Sequence, residues 1–248
     1  MHLFFSTEPD PCPYLPGRLE RRLVTALDGD DPDLLHDRLL RAGFRRSQGY
    51  AYRPGCAGCQ ACVPVRIPVA QFVFRRPWRR ILRDNADLVA SERRAVATQE
   101  QYALFRRYLD SRHAASGMAE MTWAEFRAMI DDSPVDTRVI EWRPPDRSLI
   151  AASLTDRCRS GFSGVYKFFD PDHARRSLGS LIILWHVQHA ARLGLPYVYL
   201  GYWIAGSPKM AYKARFQPLE QLTPSGWRPM SAEEARAADA VDQGTAAA

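Results

Sequence analysis

The chain has 248 residues, enough for a sizeable core arranged as one large domain or two small ones. Apolar residues make up 46% and charged residues 25%, the balance of a globular protein, and no stretch approaches the run of about 20 apolar residues that a membrane span needs. The net charge of +6, from 34 Lys and Arg against 28 Asp and Glu, is carried mostly by arginine; this suits phosphate recognition but equally an arginine-rich codon usage, so charge alone does not decide for nucleic acid.

The opening Met1-His2-Leu3-Phe4-Phe5 has no basic n-region, which predicts a cytoplasmic chain in which disulfides are rare. Residues 1–30 are Pro-rich and irregular. Asp31 followed by Pro32 predicts a capped helix that Gly43 closes. Phe44 to Pro54 alternates as one strand, and Val63 to Ile67 as another. A basic helix is expected over 75–84, a second from the Thr98/Gln101 capping box to about 115, and a third from the Thr122/Glu125 box. Asp132 to Asp136 reads as the hinge between an N-terminal domain, 1–132, and a C-terminal domain, 133–248. The second half gives three strands, Arg138 to Trp142, Leu149 to Thr155 and Phe162 to Phe169, then a largely apolar helix over 177–193 ended by Gly194, then a strand from Tyr197. Strands, helix, strand in that order predict an α/β layer around a central sheet. In the last strand, alternation puts Tyr197, Tyr199 and Trp203 on one face and Val198 and Leu200 on the other. The Ala-rich, acidic tail is expected to be disordered from about 240.

Four of the five cysteines, Cys12, Cys56, Cys59 and Cys62, include a double C-x-x-C. Thiolates at this spacing can converge on one centre and suit Zn²⁺ or an iron–sulfur cluster; the alternative is a set of free, partly buried thiols. Cys158 stands alone and reads as a buried thiol. Arg76, Arg79, Arg80 and Arg83 fall on one helical face, either as a phosphate-tracking stripe or as a solvated surface. Two segments are dense in aromatics and cations: Val165-Tyr166-Lys167-Phe168-Phe169-Asp170 with Arg176-Ser177, and Tyr202-Trp203 with Lys209, Tyr212, Lys213 and Arg215. The first runs into a helix N-terminus, where backbone amides favour an anion. The second mixes side chains that stack on a base or hold a carboxylate. Lys209 and Lys213, four apart, are expected to share a helix face and clamp a carboxylate.

These stretches, together with Cys12-Pro-Tyr-Leu-Pro-Gly-Arg18, Gly43-Phe-Arg-Arg-Ser47, Tyr52-Arg-Pro-Gly-Cys56, Arg106-Arg-Tyr-Leu109, Arg112-His113, Arg176-Ser-Leu-Gly179 and Gly194-Leu-Pro-Tyr-Val-Tyr-Leu-Gly-Tyr-Trp203, resemble the arginyl-tRNA–protein transferase family, most nearly its bacterial leucyltransferase branch. The resemblance spans roughly 12–227. It implies a smaller cysteine-bearing N-terminal domain and a C-terminal acyltransferase domain of the GNAT kind. It also implies transfer of leucine, or alternatively arginine, from aminoacyl-tRNA to the α-amine of proteins that begin with Asp or Glu, a mark for degradation. Tyr166, Asp170 and Tyr202 are then the catalytic candidates, with Asp170 or another carboxylate holding the α-amine. Lys167, Arg176, Ser177, Trp203, Lys209, Tyr212, Lys213 and Arg215 are the substrate-binding candidates, and Arg76, Arg79, Arg80 and Arg83 the tRNA-binding ones. Ser160 stands where the family usually has Asp, so no role rests on that position. The pyrophosphate pattern of coenzyme A-binding relatives is incomplete, with bulky Leu181 at its last position, which argues for a tRNA carrier and no cofactor for the chemistry. The rival from another class is a metal-stapled RNA-binding protein without catalysis.

Overall fold

In a computed structural model the described residues are 2–112 and 118–235. His113, the end of the helix read to about 115, and the tail beyond 240 lie outside them. In chain order the elements are β1 (Phe5–Ser6), β2 (Asp10–Pro11), β3 (Leu19–Glu20), β4 (Arg22–Ala26), α1 (Pro32–Arg41), β5 (Arg45–Ser47), β6 (Tyr50–Pro54), β7 (Val63–Pro68), α2 (Arg76–Asp84), β8 (Val89–Arg94), α3 (Gln99–Arg112), α4 (Trp123–Asp131), β9 (Thr137–Arg143), β10 (Ala151–Cys158), β11 (Gly161–Phe169), α5 (Leu178–Arg192), β12 (Tyr197–Trp203), α6 (Pro208–Ala211), β13 (Glu220–Thr223) and β14 (Gly226–Pro229).

Local chemistry sets the helix starts. The Asp31 carboxylate accepts from the Leu34 N–H at 2.8 Å, and Thr122 and Glu125 exchange both bonds of a capping box. Thr98 and Gln101 do the same, with bonds of 3.1 and 3.2 Å. The segment 44–54 is a hairpin rather than one strand: Gln48 at φ 49 and Gly49 reverse the chain between β5 and β6.

Eight strands form the main sheet, in the order β14-β13-β7-β12-β11-β10-β9-β8. Strands from either side of residue 132 therefore lie side by side, β7 between β12 and β13 and β8 against β9. The unit expected of the acyltransferase domain is present: β9, β10 and β11 are antiparallel, α5 crosses over, and β12 joins β11 in parallel. Adjacent residues of β10 point to opposite faces, as the pleat requires. Thr155 meets His186 of α5 at 2.9 Å, whereas Asp156 meets His36 of α1 at 3.1 Å. Helices α2 and α5 thus cover one face, and α1, α3 and α4 the other. Phe105, Phe126 and Phe168 fill the second layer; Ile67, Leu184, Val198 and Phe216 fill the first. No helix among the described residues is long and apolar enough to cross a membrane.

The alternation expected of β12 fails at its end. A register shift between Tyr199 and Gly201, with Gly201 at φ +75, adds a residue to the strand. Trp203 therefore joins Val198 in the core under α5, while Tyr197 and Tyr199 face Arg66 and Trp227.

Candidate active site

Lys167 projects from β11 toward the start of α5, where its Nζ donates to the Gly179 carbonyl at 2.9 Å and stands 5.2 Å from the Tyr212 ring. Ser177, exposed at φ 53 and ψ 42, turns the chain into α5. Its carbonyl takes the N–H groups of Ser180 and Leu181 at 2.9 and 3.0 Å. The N–H groups of Leu178 and Gly179 precede any intrahelical partner and carry the positive end of the helix dipole. A side chain on Gly179 would press on Phe169, its Cβ 3.2 Å from the ring. Tyr108 packs on Phe169 at 4.9 Å, and the Arg112 guanidinium stands 5.6 Å from that ring. Burial pushes the Tyr108 phenol up to about 12, with Arg112 opposing and Tyr212 adding to the shift. Lys167 and Tyr212 are thus brought together, with exposed Ser177 two residues before the Gly179 carbonyl that Lys167 meets. Tyr108 and Arg112 pack on Phe169 beside the same helix start and have no role in the sequence reading; their spacing, one helical turn apart, is the available signal.

The other candidates are placed apart. Tyr166 points to the opposite face of the sheet, 5.8 Å from Phe105, and burial raises its phenol. Asp170 is buried and occupied: it accepts from Arg107 at 2.8 Å and from the Asp172 N–H at 3.0 Å, capping the 3₁₀ turn Pro171–Arg176. It is not open to hold an amine. The Tyr202 hydroxyl reaches the carbonyls of Gly43 and Tyr52, both at 3.1 Å, and so pins β12 to the N-terminal hairpin; burial raises its phenol as well. Arg176 is tied to Asp87 at 2.7 Å. Leu181 packs into the core rather than obstructing the helix N-terminus.

Lys209 and Lys213 do not share a face. The helix they were read onto is a four-residue α6 that tightens into the 3₁₀ turn Tyr212–Arg215, whose different pitch rotates the second lysine away from the first. Lys209 is exposed, whereas Lys213 is buried with its Nζ on the Tyr202 carbonyl. Burial, then the charges of Arg45 and Lys167, hold the Lys213 amine well below the usual lysine range. Arg215 is exposed and stands 6.0 Å from the Trp78 ring.

On α2, Arg76, Arg79, Arg80 and Arg83 are all exposed, and Arg83 is engaged with its neighbour Asp84 at 3.0 Å. Trp78 faces inward and stacks on Phe216 at 4.7 Å. At the other end of the helix, Asn85 donates to the Arg176 carbonyl at 2.9 Å. Helix α2 therefore spans from Phe216 to the loop that leads into α5, with its arginines on the exposed side.

Cys12, Cys56, Cys59 and Cys62 line a cleft together with Tyr14, Arg18, Glu20, Tyr52 and Tyr202. N–H groups already point at sulfur: the Arg18 guanidinium meets Cys59 Sγ at 3.2 Å and the Arg21 amide meets Cys56 Sγ at 3.4 Å. The Ala61 amide and Arg18 lower the Cys59 thiol, while burial and the other three cysteines push Cys62 up to about 12. Among the described residues no group of three or more Cys, His, Asp and Glu is drawn tight enough to form a ligand set as it stands. By chemistry the donors fit a thiophilic cation, whose charge would relieve the mutual repulsion that raises Cys62. Cys158 is a buried thiol, raised by burial.

Residues 10–80 match the family model described as arginine-tRNA-protein transferase, N terminus, and residues 100–223 match its C-terminal counterpart. A protein named aspartate/glutamate leucyltransferase from Paramagnetospirillum magneticum is 54% identical over 227 residues, covering 92% of this chain and 93% of its own. Relatives of the same name from Parvibaculum lavamentivorans, 54% identical over 91% of this chain and 93% of theirs, and from Bradyrhizobium diazoefficiens, 50% identical over 96% of each, extend the likeness. The solved structure of L-PGS from Bacillus licheniformis shares the fold alone, with a TM-score of 0.50 at 9% identity over 74% of this chain and 65% of that one. With both halves matched and relatives at half identity along nearly its whole length, the chain belongs to the arginine-tRNA-protein transferase family.

Proposed function

We propose that this chain is a cytoplasmic aminoacyltransferase that moves leucine from leucyl-tRNA to the α-amine of proteins beginning with Asp or Glu. The observation that carries the reading is the start of α5, where Lys167 donates to the Gly179 carbonyl beside the Tyr212 ring. The ester arrives activated, so the protein has to align it and stabilise the oxyanion. The Leu178 and Gly179 amides and the Lys167 ammonium are the donors suited to that oxygen. The acceptor nitrogen forms its bond to the ester carbonyl carbon, the carbon–oxygen bond to the tRNA ribose breaks, and the amine proton leaves with the ribose hydroxyl. An α-amine titrates near ~7.7–8.0, so a sizeable fraction attacks without a strong base. Incubating the protein with leucyl-tRNA and a Glu-starting peptide, then weighing the peptide, tests this. A leucine adduct that prior RNase treatment abolishes is expected; an unmodified peptide would overturn the reading.

Exposed phosphates of the tRNA would lie along Arg76, Arg79, Arg80 and Arg83. Reversing Arg76 and Arg80 to Glu is expected to weaken tRNA binding and to reduce the slope of log affinity against log salt by about one unit per lost phosphate contact. Filter binding at several salt concentrations checks it, and an unchanged slope would leave the stripe a solvated face.

Cys12, Cys56, Cys59 and Cys62 would hold a thiophilic metal ion or cluster, which supplies a covalent staple across the N-terminal half. Cys59→Ser is expected to lower the metal content of anaerobically purified protein and its unfolding midpoint together. Elemental analysis with a denaturant titration measures both, and a metal-free parent chain of equal stability would overturn the assignment.

A further inference from the structure

β11 and β12 pair in parallel only from Gly161 with Tyr197 to Ser163 with Tyr199, and then part. Arg45, reaching across from β5, fills the start of the gap. Its Nη2 donates to the carbonyl of Gly164 and, at 3.1 Å, to that of Val165. Its guanidinium lies over Gly201, where any Cβ would overlap it, so the bulge and the missing side chain both make room for this one cation.

What Arg45 lacks is a counter-charge. The other arginines that are buried or half-buried each have a carboxylate within salt-bridge distance: Arg22 has Glu20, Arg46 has Asp156, Arg66 has Glu220, Arg106 has Asp110, Arg138 has Asp136, Arg143 has Glu100 and Arg176 has Asp87. Arg45 has none among the described residues, and its Nη1 and Nε make no hydrogen bond to them. The groups around it do not supply one. Lys213 faces Arg45, Lys167 and Cys62; Tyr202 faces Tyr52, Arg45, Cys62 and Tyr14. Glu20, which faces Tyr14 and Cys62, is held by Arg22. The Lys213 amine thus stands near two cations, Arg45 and Lys167, and no carboxylate is among the groups that face it. A guanidinium drawn out of water and left uncompensated is costly, and its free fork matches a carboxylate.

We infer that Arg45 is the specificity-determining cation of the acceptor site, receiving the side-chain carboxylate of an N-terminal Asp or Glu at the parting of β11 and β12. This rests on the proposed acceptor class and names the residue that reads it. Two carbonyls fix the guanidinium in advance, so its orientation costs little on binding. A neutral Asn or Gln would leave the charge uncompensated, and a basic N-terminus would be repelled.

The test is equilibrium binding of two peptides, identical but for an N-terminal Glu or Gln, to the full chain without tRNA, with Arg45→Gln and Arg45→Lys beside it. The unsubstituted chain is expected to favour the Glu peptide by about tenfold or more. Arg45→Gln should remove that preference by weakening the Glu peptide alone, and Arg45→Lys, which keeps the charge but not the fork, should retain part of it. Equal losses for both peptides would reduce Arg45 to a structural wedge and overturn the inference, as would a parent chain with no preference. If Arg45→Gln fails to fold, the intermediate preference of Arg45→Lys decides in the same way. Leucine transfer measured on the same samples separates the two claims: an Arg45-dependent Glu preference without transfer would sink the proposed activity and leave the site standing.

Discussion

Arg46→Ala is expected to cost about 3–5 kcal/mol of stability, a large share of the roughly 5–15 kcal/mol a domain has to lose. Arg46 forms a two-pronged pair with Asp156, with Nε and Nη2 each 2.8 Å from an oxygen, and Nη2 also meets Thr137 at 3.2 Å. The same carboxylate receives His36 at 3.1 Å and the Thr137 hydroxyl at 2.7 Å. All of this lies inside the protein, joining α1 and β5 to β9 and β10. Removing the arginine leaves a buried carboxylate short of its main partner. Replacing Arg46 and Asp156 together with Met and Leu removes both charges and should recover much of the loss. Midpoints of urea unfolding measure both variants; a single substitution that costs under about 1 kcal/mol would show the pair to be dispensable.

The same network sets an acid limit. Burial alone would raise the Asp156 carboxyl, but the hydrogen bond from His36 and the charge of Arg46 outweigh it and hold the group below the usual carboxylate range. A folded pKa below the unfolded ~3.9 contributes stability above that value and loses it as pH falls further. Between pH 5 and about 2 the parent chain should therefore lose stability more steeply than Asp156→Asn.

Lys167→Met is expected to lower kcat/KM for leucine transfer by about a hundredfold, the order of effect seen when one oxyanion donor is removed. Methionine keeps much of the apolar stem and removes the charge that lies near the Tyr212 ring and on the Gly179 carbonyl. The tRNA contacts proposed for α2 are untouched, so tRNA affinity should stay within about threefold while the chemical step slows. Single-turnover kinetics separates the two. A variant with parental turnover would move the oxyanion site elsewhere.

How much of this was legible in the sequence follows how local the interaction is. Asp31 with Leu34 and Thr122 with Glu125 act across three residues, and both helix starts were read correctly. The reversal at Gln48 and Gly49 is faint in the sequence because only Gly49 of the two carries a turn signal, set in an otherwise alternating stretch. The bulge before Gly201 inverted the faces expected of Trp203, since one added residue shifts every later side chain. Lys209 and Lys213 were misjudged because their shared face presumed α-helical pitch where a 3₁₀ turn stands. Arg45 and Arg46 carry no role that local sequence reveals, because their partners lie more than a hundred residues along the chain, at Gly164, Val165 and Asp156.

The most direct measurement is a competition between donors. Leucyl-tRNA and arginyl-tRNA carrying different radiolabels are mixed with the protein and with peptides that begin with Asp, Glu or Lys, and each peptide is counted. Leucine label on the Asp and Glu peptides, with little on the Lys peptide and little arginine label anywhere, is the expected result. Label on none of the peptides, or leucine spread evenly over all three, would contradict transfer from a tRNA ester to an acidic N-terminus.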